Sequence, residues 1–233
     1  MTTAFDVDIL RFLNQFAHHS RVFDGLMAAI ARSAVLKGWV MVSVFWWVWF
    51  QPGEANRRNR KIVVATMAGA VLCVVVGRLL ADFLPFRVRP MNSAELGLVL
   101  PYEVSGDPFR RWSSFPSDHA MVFFAISTGL WYVSKTLGAA STLYVACVIA
   151  FPRIYLGYHY PTDIIGGTLF GILFAYLANL DGVRARLAGP AMRWLDTRPA
   201  SFYTCFFLFS MGLASLFDPL RDLAGTLLAL KPE

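Results

Sequence analysis

Apolar residues run along this chain in blocks, without the one-sided stripes typical of soluble helices. Uncharged stretches fall at 38–50, 62–77, 120–134, 136–151, 164–180 and 200–217. Most are shorter than the roughly 20 residues that cross a bilayer. Each reaches that length by taking in a charged or aromatic end, where Trp and Tyr are favoured and Lys and Arg can snorkel. The pattern predicts six membrane-spanning helices. Ahead of them the spacing changes. Ile9, Leu13, Phe16 and Ala17 recur at helical intervals, as do Phe23, Met27 and Ile30, which predicts two short amphipathic helices lying in the interface. The expected fold is therefore all-α: one domain over 1–233, with interfacial helices in 1–33 and a polytopic six-helix membrane bundle in 34–220.

Composition supports this. The 233 residues are 57% hydrophobic and 15% charged, with a mean hydropathy of +0.53, against about 25% charged in soluble domains. Asp6 and Asp8 stand where a secretory signal would be basic, so no signal peptide is expected. The net charge of +6 is spread over loops and forms no stripe for nucleic acid. Cys73, Cys147 and Cys205 each fall inside an expected span without metal-ligand spacing, and read as small buried apolar residues.

Alternation of six spans places four segments on one membrane face: the end of span 2, the start of span 3, the end of span 4 and the start of span 5. These hold nearly all the unusual polar residues. DFLPFRVRP carries Asp82, Arg87 and Arg89; FRRWSS carries Arg110 and Arg111; PSDH contains Ser117, Asp118 and His119; FPRIYLGYHYPTD carries Arg153, His159 and Asp163. Nine of the Lys and Arg residues lie on the opposite face and twelve on this one. Setting aside Arg87, Arg89, Arg110, Arg111 and Arg153 as functional, and Arg78 as buried, leaves six against nine. By the positive-inside rule this leans toward an extracytoplasmic site.

Guanidinium groups bind phosphate through paired, charge-assisted hydrogen bonds, so several on one rim make an anion site. Arg110 and Arg111 fit lipid snorkelling equally well. A helix opening at Ser117 adds free backbone N–H groups and a positive dipole end, although Ser117 and Asp118 are also ordinary N-cap residues. Pro161 suits the first turn of span 5 and turns Asp163 back toward His159. A carboxylate on one imidazole nitrogen fixes the tautomer and frees the other as nucleophile or base. His18 and His19 lack such company and read as interfacial residues. Carboxylates are present on this face, but no metal-ligand spacing appears and the arginines would repel a cation. Neither metal nor cofactor is expected.

These segments resemble the type-2 phosphatidic acid phosphatase superfamily of integral membrane lipid phosphatases. Its signatures are a Lys followed after six residues by Arg-Pro, then Pro-Ser-Gly-His, then Ser-Arg with a downstream His and Asp. The resemblance covers about residues 78 to 167. It implies that His159 attacks phosphorus to form a phosphohistidine and that Asp163 holds it in place. It also implies that His119 protonates the leaving oxygen and then activates water. Arg89 and Arg153 would bind the phosphoryl oxygens, with Ser117 helping. Three positions depart from the pattern. Asp82 stands where the first Lys belongs, leaving Arg87 as the best substitute ligand and Arg78 as another; Arg78 and Asp82 also form an i,i+4 pair that would neutralise itself. Asp118 replaces Gly, a variant associated with bacterial undecaprenyl-diphosphatases, and would tune His119 or cap the helix. Pro152 replaces Ser and would kink span 4. Gly167 and Gly171 form a small-xxx-small pair suited to close helix packing.

The expected activity is hydrolysis of a polyprenyl diphosphate or related lipid phosphate in a bacterial inner membrane, the lipid being the partner. Phosphatidate, phosphatidylglycerol phosphate and lipid A phosphate are alternative substrates. A lipid phosphotransferase using the same phosphohistidine is the nearest rival. A transporter or scaffold for anionic lipids would need the arginines but not the spacing of His159 and Asp163.

Overall fold

The structure, a computed structural model, describes residues 2–104 and 112–218. Two short helices come first, α1 (Ala4–Asn14) and α2 (Arg21–Arg32). A π-helical turn over Val35–Trp39 leads into α3 (Val40–Phe50), and α4 (Asn56–Phe83) follows. A long loop reaches α5 (Asp118–Val133). Next, α6 (Lys135–Tyr144) runs through a π-helical stretch, Val145–Ala150, into α7 (Phe151–Tyr155). The described part closes with α8 (Pro161–Asn179), α9 (Asp181–Thr197) and α10 (Pro199–Ala214).

The all-α expectation is met, but the count of six spans is not reached by helix length. Among the described residues, Asn56–Phe83, Lys135–Tyr155 and Pro161–Asn179 are long and apolar enough to cross a membrane. A fourth is added if α2 and the Val35–Phe50 helix, bent by 65°, count as one broken span. The apolar helix α10 has 16 residues. The run at 120–134 forms α5, also 16 residues, or about 24 Å at 1.5 Å per residue, against a hydrocarbon core of about 30 Å. It cannot lengthen in either direction: Pro116 and the Ser117 cap close its start, and extended Ser134 closes its end.

Helix α5 is the centre of the bundle. Eleven of its residues are buried, including Met121, Phe123, Ile126 and Leu130, because α4, α6 and α8 all pack on it. A helix apolar on every side needs this position. Between helices in lipid, close van der Waals fit and hydrogen bonds replace the hydrophobic drive, and both are present. The small-xxx-small pair lies on the α5 contact: a Cβ on Gly171 would stand 2.4 Å from the Met121 carbonyl oxygen, and one on Gly167 2.6 Å from that of Ser117. Ser127 and Thr142 hydroxyls meet at 2.6 Å between α5 and α6. Asn179 Nδ2 donates to Thr66 Oγ1 at 2.9 Å between α8 and α4.

The two N-terminal helices form where expected and lie against the site end of the bundle, α1 on α8 and α7, and α2 on α7. Asn14 exchanges two hydrogen bonds with the Val99 backbone, and Arg32 donates to the Glu103 carbonyl at 3.1 Å. Together they brace the loop after α4. Of the cysteines, Cys73 is buried as expected, but Cys147 and Cys205 are exposed. They sit on the outer face of their helices, which a count of apolar residues does not distinguish from the inner one.

Candidate active site

Three loops meet at one end of the bundle: the segment after α4, the turn before α5 and the turn before α8. Backbone hydrogen bonds lace them together. Met91 N–H donates to the Gly157 carbonyl at 2.9 Å, Ser114 N–H to Arg87 at 2.8 Å, and Ser117 N–H to Asp163 at 3.3 Å. The Arg153 carbonyl accepts from both Tyr158 and His159. Gly157 has φ +72°, and a Cβ there would also press on Met91 at 3.1 Å, so a side chain is unfavourable on both counts.

The loops hold His159 in one orientation. The residue is 5% exposed, with Nδ1 2.9 Å from the Ser114 carbonyl oxygen. A carbonyl only accepts, so Nδ1 carries the proton and Nε2 keeps its lone pair. Arg89 Nη1 stands 3.2 Å from that Nε2 and donates to the Tyr158 carbonyl at 2.7 Å. Burial pushes the imidazole pKa down to about 4; Asp163 opposes the shift, and Arg89 and Arg153 add to it. The ring is thus neutral at physiological pH, the state a nitrogen nucleophile requires.

Asp163 lies 3.6 Å from Nδ1, farther than the Ser114 carbonyl. Its carboxylate accepts from the Tyr160 N–H at 2.8 Å, from the Ser114 hydroxyl and from Arg87. It therefore caps the start of α8 and braces the strap that orients His159. The expected carboxylate does face the imidazole, as an ion pair, and Ser114, absent from the sequence-derived site, adds the shorter contact. It went unnoticed because neighbouring serines in a loop carry no periodic signal.

Arg87 does not stand in for the missing lysine in geometry. Its guanidinium reaches Asp163, Thr162 Oγ1 at 2.9 Å and Asp6 Oδ2 at 2.7 Å, and stacks 4.0 Å from the Tyr160 ring centroid. Two carboxylates already neutralise it. Arg153 is buried and donates to the Ile149 carbonyl at 3.0 Å, one of the carbonyls of the π-helical stretch before Pro152. Ser117 is the N-cap of α5, its hydroxyl accepting from Ala120 N–H at 3.4 Å. His119 lies half-buried in the first turn of α5, with its ring 6.2 Å from that of Phe123. The Arg78–Asp82 pairing is overturned: Arg78 forms its ion pair with Asp118 across to α5 and lies 4.9 Å over the Trp112 ring, while Asp82 is exposed. The face of α4 that carries Arg78 turns toward α5. Beside this pair an apolar cavity of ≈ 520 Å³ opens between α4 and the end of α10, with Asp82 and Ser113 also on its wall.

Asp6, which in the sequence speaks only against a signal peptide, belongs to the site. It is fully buried and accepts from Arg87, from Thr162 N–H at 2.9 Å and from Thr162 Oγ1 at 2.9 Å. Burial alone would raise its pKa, but these bonds and one from Thr3 outweigh burial and hold it below the usual carboxylate value. The available signal was Thr3-x-x-Asp6, a helix-capping pattern that the structure forms. His18, read as a lone interfacial residue, stacks on Tyr102 at 4.0 Å. Arg110 and Arg111 lie outside the described residues.

A profile for the PAP2 superfamily matches residues 62–186, more than half of the chain. The chain belongs to the PAP2 superfamily. Its relatives include undecaprenyl-diphosphatases and a lipid A 1-phosphatase. One, an undecaprenyl-diphosphatase, BcrC, of Bacillus subtilis, is 24% identical over 170 residues, covering 73% of this chain and 80% of the relative. Another, a lipid A 1-diphosphate synthase of Escherichia coli, is 30% identical over 177 residues, covering 72% of each. The crystal structure of Aquifex aeolicus LpxE shares the fold, with a TM-score of 0.52 and 24% identity over 76% of this chain and 95% of that one.

Proposed function

We propose that this PAP2 protein is a membrane lipid phosphatase acting on a polyprenyl diphosphate or related lipid phosphate through a phosphohistidine. The observation that carries the reading is the setting of His159: a neutral, buried imidazole with Nδ1 on the Ser114 carbonyl and Nε2 beside Arg89. In the first step the Nε2 lone pair attacks phosphorus, and the bond to the leaving oxygen breaks. His119, protonated, gives that oxygen its proton. In the second step His119 takes a proton from water as the water attacks phosphorus, the N–P bond breaks, and phosphate leaves. Arg89 and Arg153, with the amides at the start of α5, stabilise the phosphoryl charge in both transition states. Asp163 and Arg87 act behind the ring. No step calls for a metal.

The same reading treats residues 1–233 as one domain, with α1 and α2 interfacial and six crossings in 34–220, of which those formed by α3, α5 and α10 are short. It puts the site on the extracytoplasmic face of a bacterial inner membrane. The cavity beside Arg78 is apolar enough for a lipid chain to lie near the head-group site. Phosphatidate, phosphatidylglycerol phosphate and lipid A phosphate remain alternatives for the head group. A phosphotransferase is the second reading, favoured by the 30% identical relative named as a synthase.

The deciding experiment is phosphate release by purified protein in detergent with EDTA. Undecaprenyl diphosphate, phosphatidate and phosphatidylglycerol phosphate would each be run beside His159→Ala. Release by the wild type alone supports the phosphatase. No release, together with transfer of labelled phosphate to an added lipid acceptor, would replace it with the transferase. Neither activity from folded protein would leave a lipid-binding role in its place.

A further inference from the structure

The PAP2 match begins at residue 62, so α1 lies outside it, yet α1 buries a carboxylate in the site. Asp6 belongs first to its own helix, where it accepts from the Thr3 hydroxyl at 3.0 Å in a capping box. Its two oxygens then reach across to the start of α8. Oδ1 takes the Thr162 N–H, and Oδ2 takes the Thr162 hydroxyl and Arg87 Nη2. Thr162 N–H is one of the four amides that a helix start leaves without an intrahelical partner, and a carboxylate there also meets the positive end of the helix dipole. The other guanidinium nitrogen of Arg87 holds Asp163, Asp163 holds the Ser114 hydroxyl, and the Ser114 carbonyl holds His159.

We propose that Asp6 is a positioning residue for the His159 site, acting through Arg87 and the first turn of α8 to hold Asp163 and Ser114 in place. Its kinetic consequence rests on the phosphatase reading; its structural consequence does not. Arg87 lies between two carboxylates, and each limits how closely the guanidinium can approach the other. With Asp6 removed, Arg87 keeps Asp163, Thr162 and the Tyr160 ring among the described residues, and Thr162 N–H loses the Asp6 acceptor. Both changes fall on the turn that carries Asp163. Asp8, two residues on, is exposed on the same helix and has no part in this chain of contacts.

The test uses the full chain in detergent, with Asp6→Asn, Asp6→Glu, Arg87→Gln, the Asp6→Asn/Arg87→Gln double variant and Asp8→Asn. Phosphate release is measured on undecaprenyl diphosphate, and the imidazole N–H resonance of His159 is followed by NMR, assigned by its absence in His159→Ala. Loss of a charge-assisted bond at this remove predicts a kcat about tenfold lower in Asp6→Asn, with KM within about twofold. Asp6→Glu loses less, Asp8→Asn is unchanged, and the double variant is no slower than Arg87→Gln alone. The resonance broadens in Asp6→Asn as the strap loosens. A wild-type kcat in Asp6→Asn, losses that multiply in the double variant, or an unaltered resonance would each overturn the proposal. If Asp6→Asn does not fold, Asp6→Glu decides by the same readouts. If the wild type releases no phosphate from any lipid, the phosphatase reading has failed, and the resonance alone decides for Asp6.

Discussion

The carbonyl oxygen of Ser114 lies 2.9 Å from Nδ1 of His159, while the Asp163 carboxylate stands 3.6 Å away. Both acceptors face Nδ1 and keep the proton there, and the carboxylate also holds the hydroxyl of the residue that owns the nearer one. Ser114→Ala keeps the carbonyl but removes the hydroxyl donor to Asp163. A buried carboxylate deprived of one donor costs about 1–3 kcal/mol, so kcat should fall by roughly tenfold with KM little changed. Steady-state phosphate release on the preferred lipid checks this, and an unchanged kcat would detach Ser114 from the site.

A second expectation concerns acid. His159 titrates at about 4 in the folded protein because burial disfavours its charged form, against about 6.5 when unfolded. Between those values the unfolded chain binds more protons, so stability rises with pH across the window. It is complete above 6.5 and lost as pH falls toward 4, a change on the order of 3 kcal/mol. Melting curves at pH 4.5 and 7 should differ more for the wild type than for His159→Gln, which has nothing to titrate there. Equal shifts in the two proteins would contradict it.

The Arg78–Asp118 pair joins α4 to the first turn of α5. Asp118→Asn leaves a partly buried guanidinium without its carboxylate. A fully buried pair broken on one side costs about 3–5 kcal/mol; here Arg78 keeps some exposure, and roughly half that is expected. Replacing both residues, as Arg78→Met with Asp118→Ala, should restore part of the loss. Asp82→Asn should change nothing. Thermal unfolding in detergent separates these cases, and equal damage from Asp82→Asn would revive the pairing within α4.

Gly171 lets α8 approach α5 until a Cβ would meet a backbone oxygen at 2.4 Å. Gly171→Ala must push the helices apart at about 1–3 kcal/mol, and α8 carries Asp163 with it. Both melting temperature and kcat should fall. Gly182→Ala, with nothing within 4 Å of its new Cβ, is the matched control. A Gly171→Ala protein as stable as that control would mean that the two helices are not in this contact.

Much of this was legible beforehand, and the reasons for the rest are physical. Alternation of apolar runs was enough to gather Arg89, Arg153, His159 and Asp163 at one end, since crossing a membrane leaves few ways to connect the ends. Helix spacing also marked Gly167 and Gly171 as a contact face. Arg78 shows where local spacing stops: Asp82 is its neighbour on the helix, but the rotation of α4 against α5 selects Asp118. The six runs were counted by composition, whereas α5 is limited by its caps to 16 residues. Asp6 and Asp163 are 157 positions apart, and nothing periodic connects a carboxylate in the first helix with an arginine after the fourth.

The hydrogen bond from Met91 to Gly157 gives the segments that carry Arg89 and His159 a common footing. Arg89 is two residues from one end of that bond and His159 two from the other, so guanidinium and imidazole travel as a pair when the long helices lean. A thinner or thicker host bilayer would tilt α4 and α8 while leaving the spacing of Arg89 and His159 nearly untouched. Turnover per active molecule should accordingly tolerate a change of acyl-chain length in reconstituted vesicles, and Gly157→Ala, by separating the two segments, should remove that tolerance.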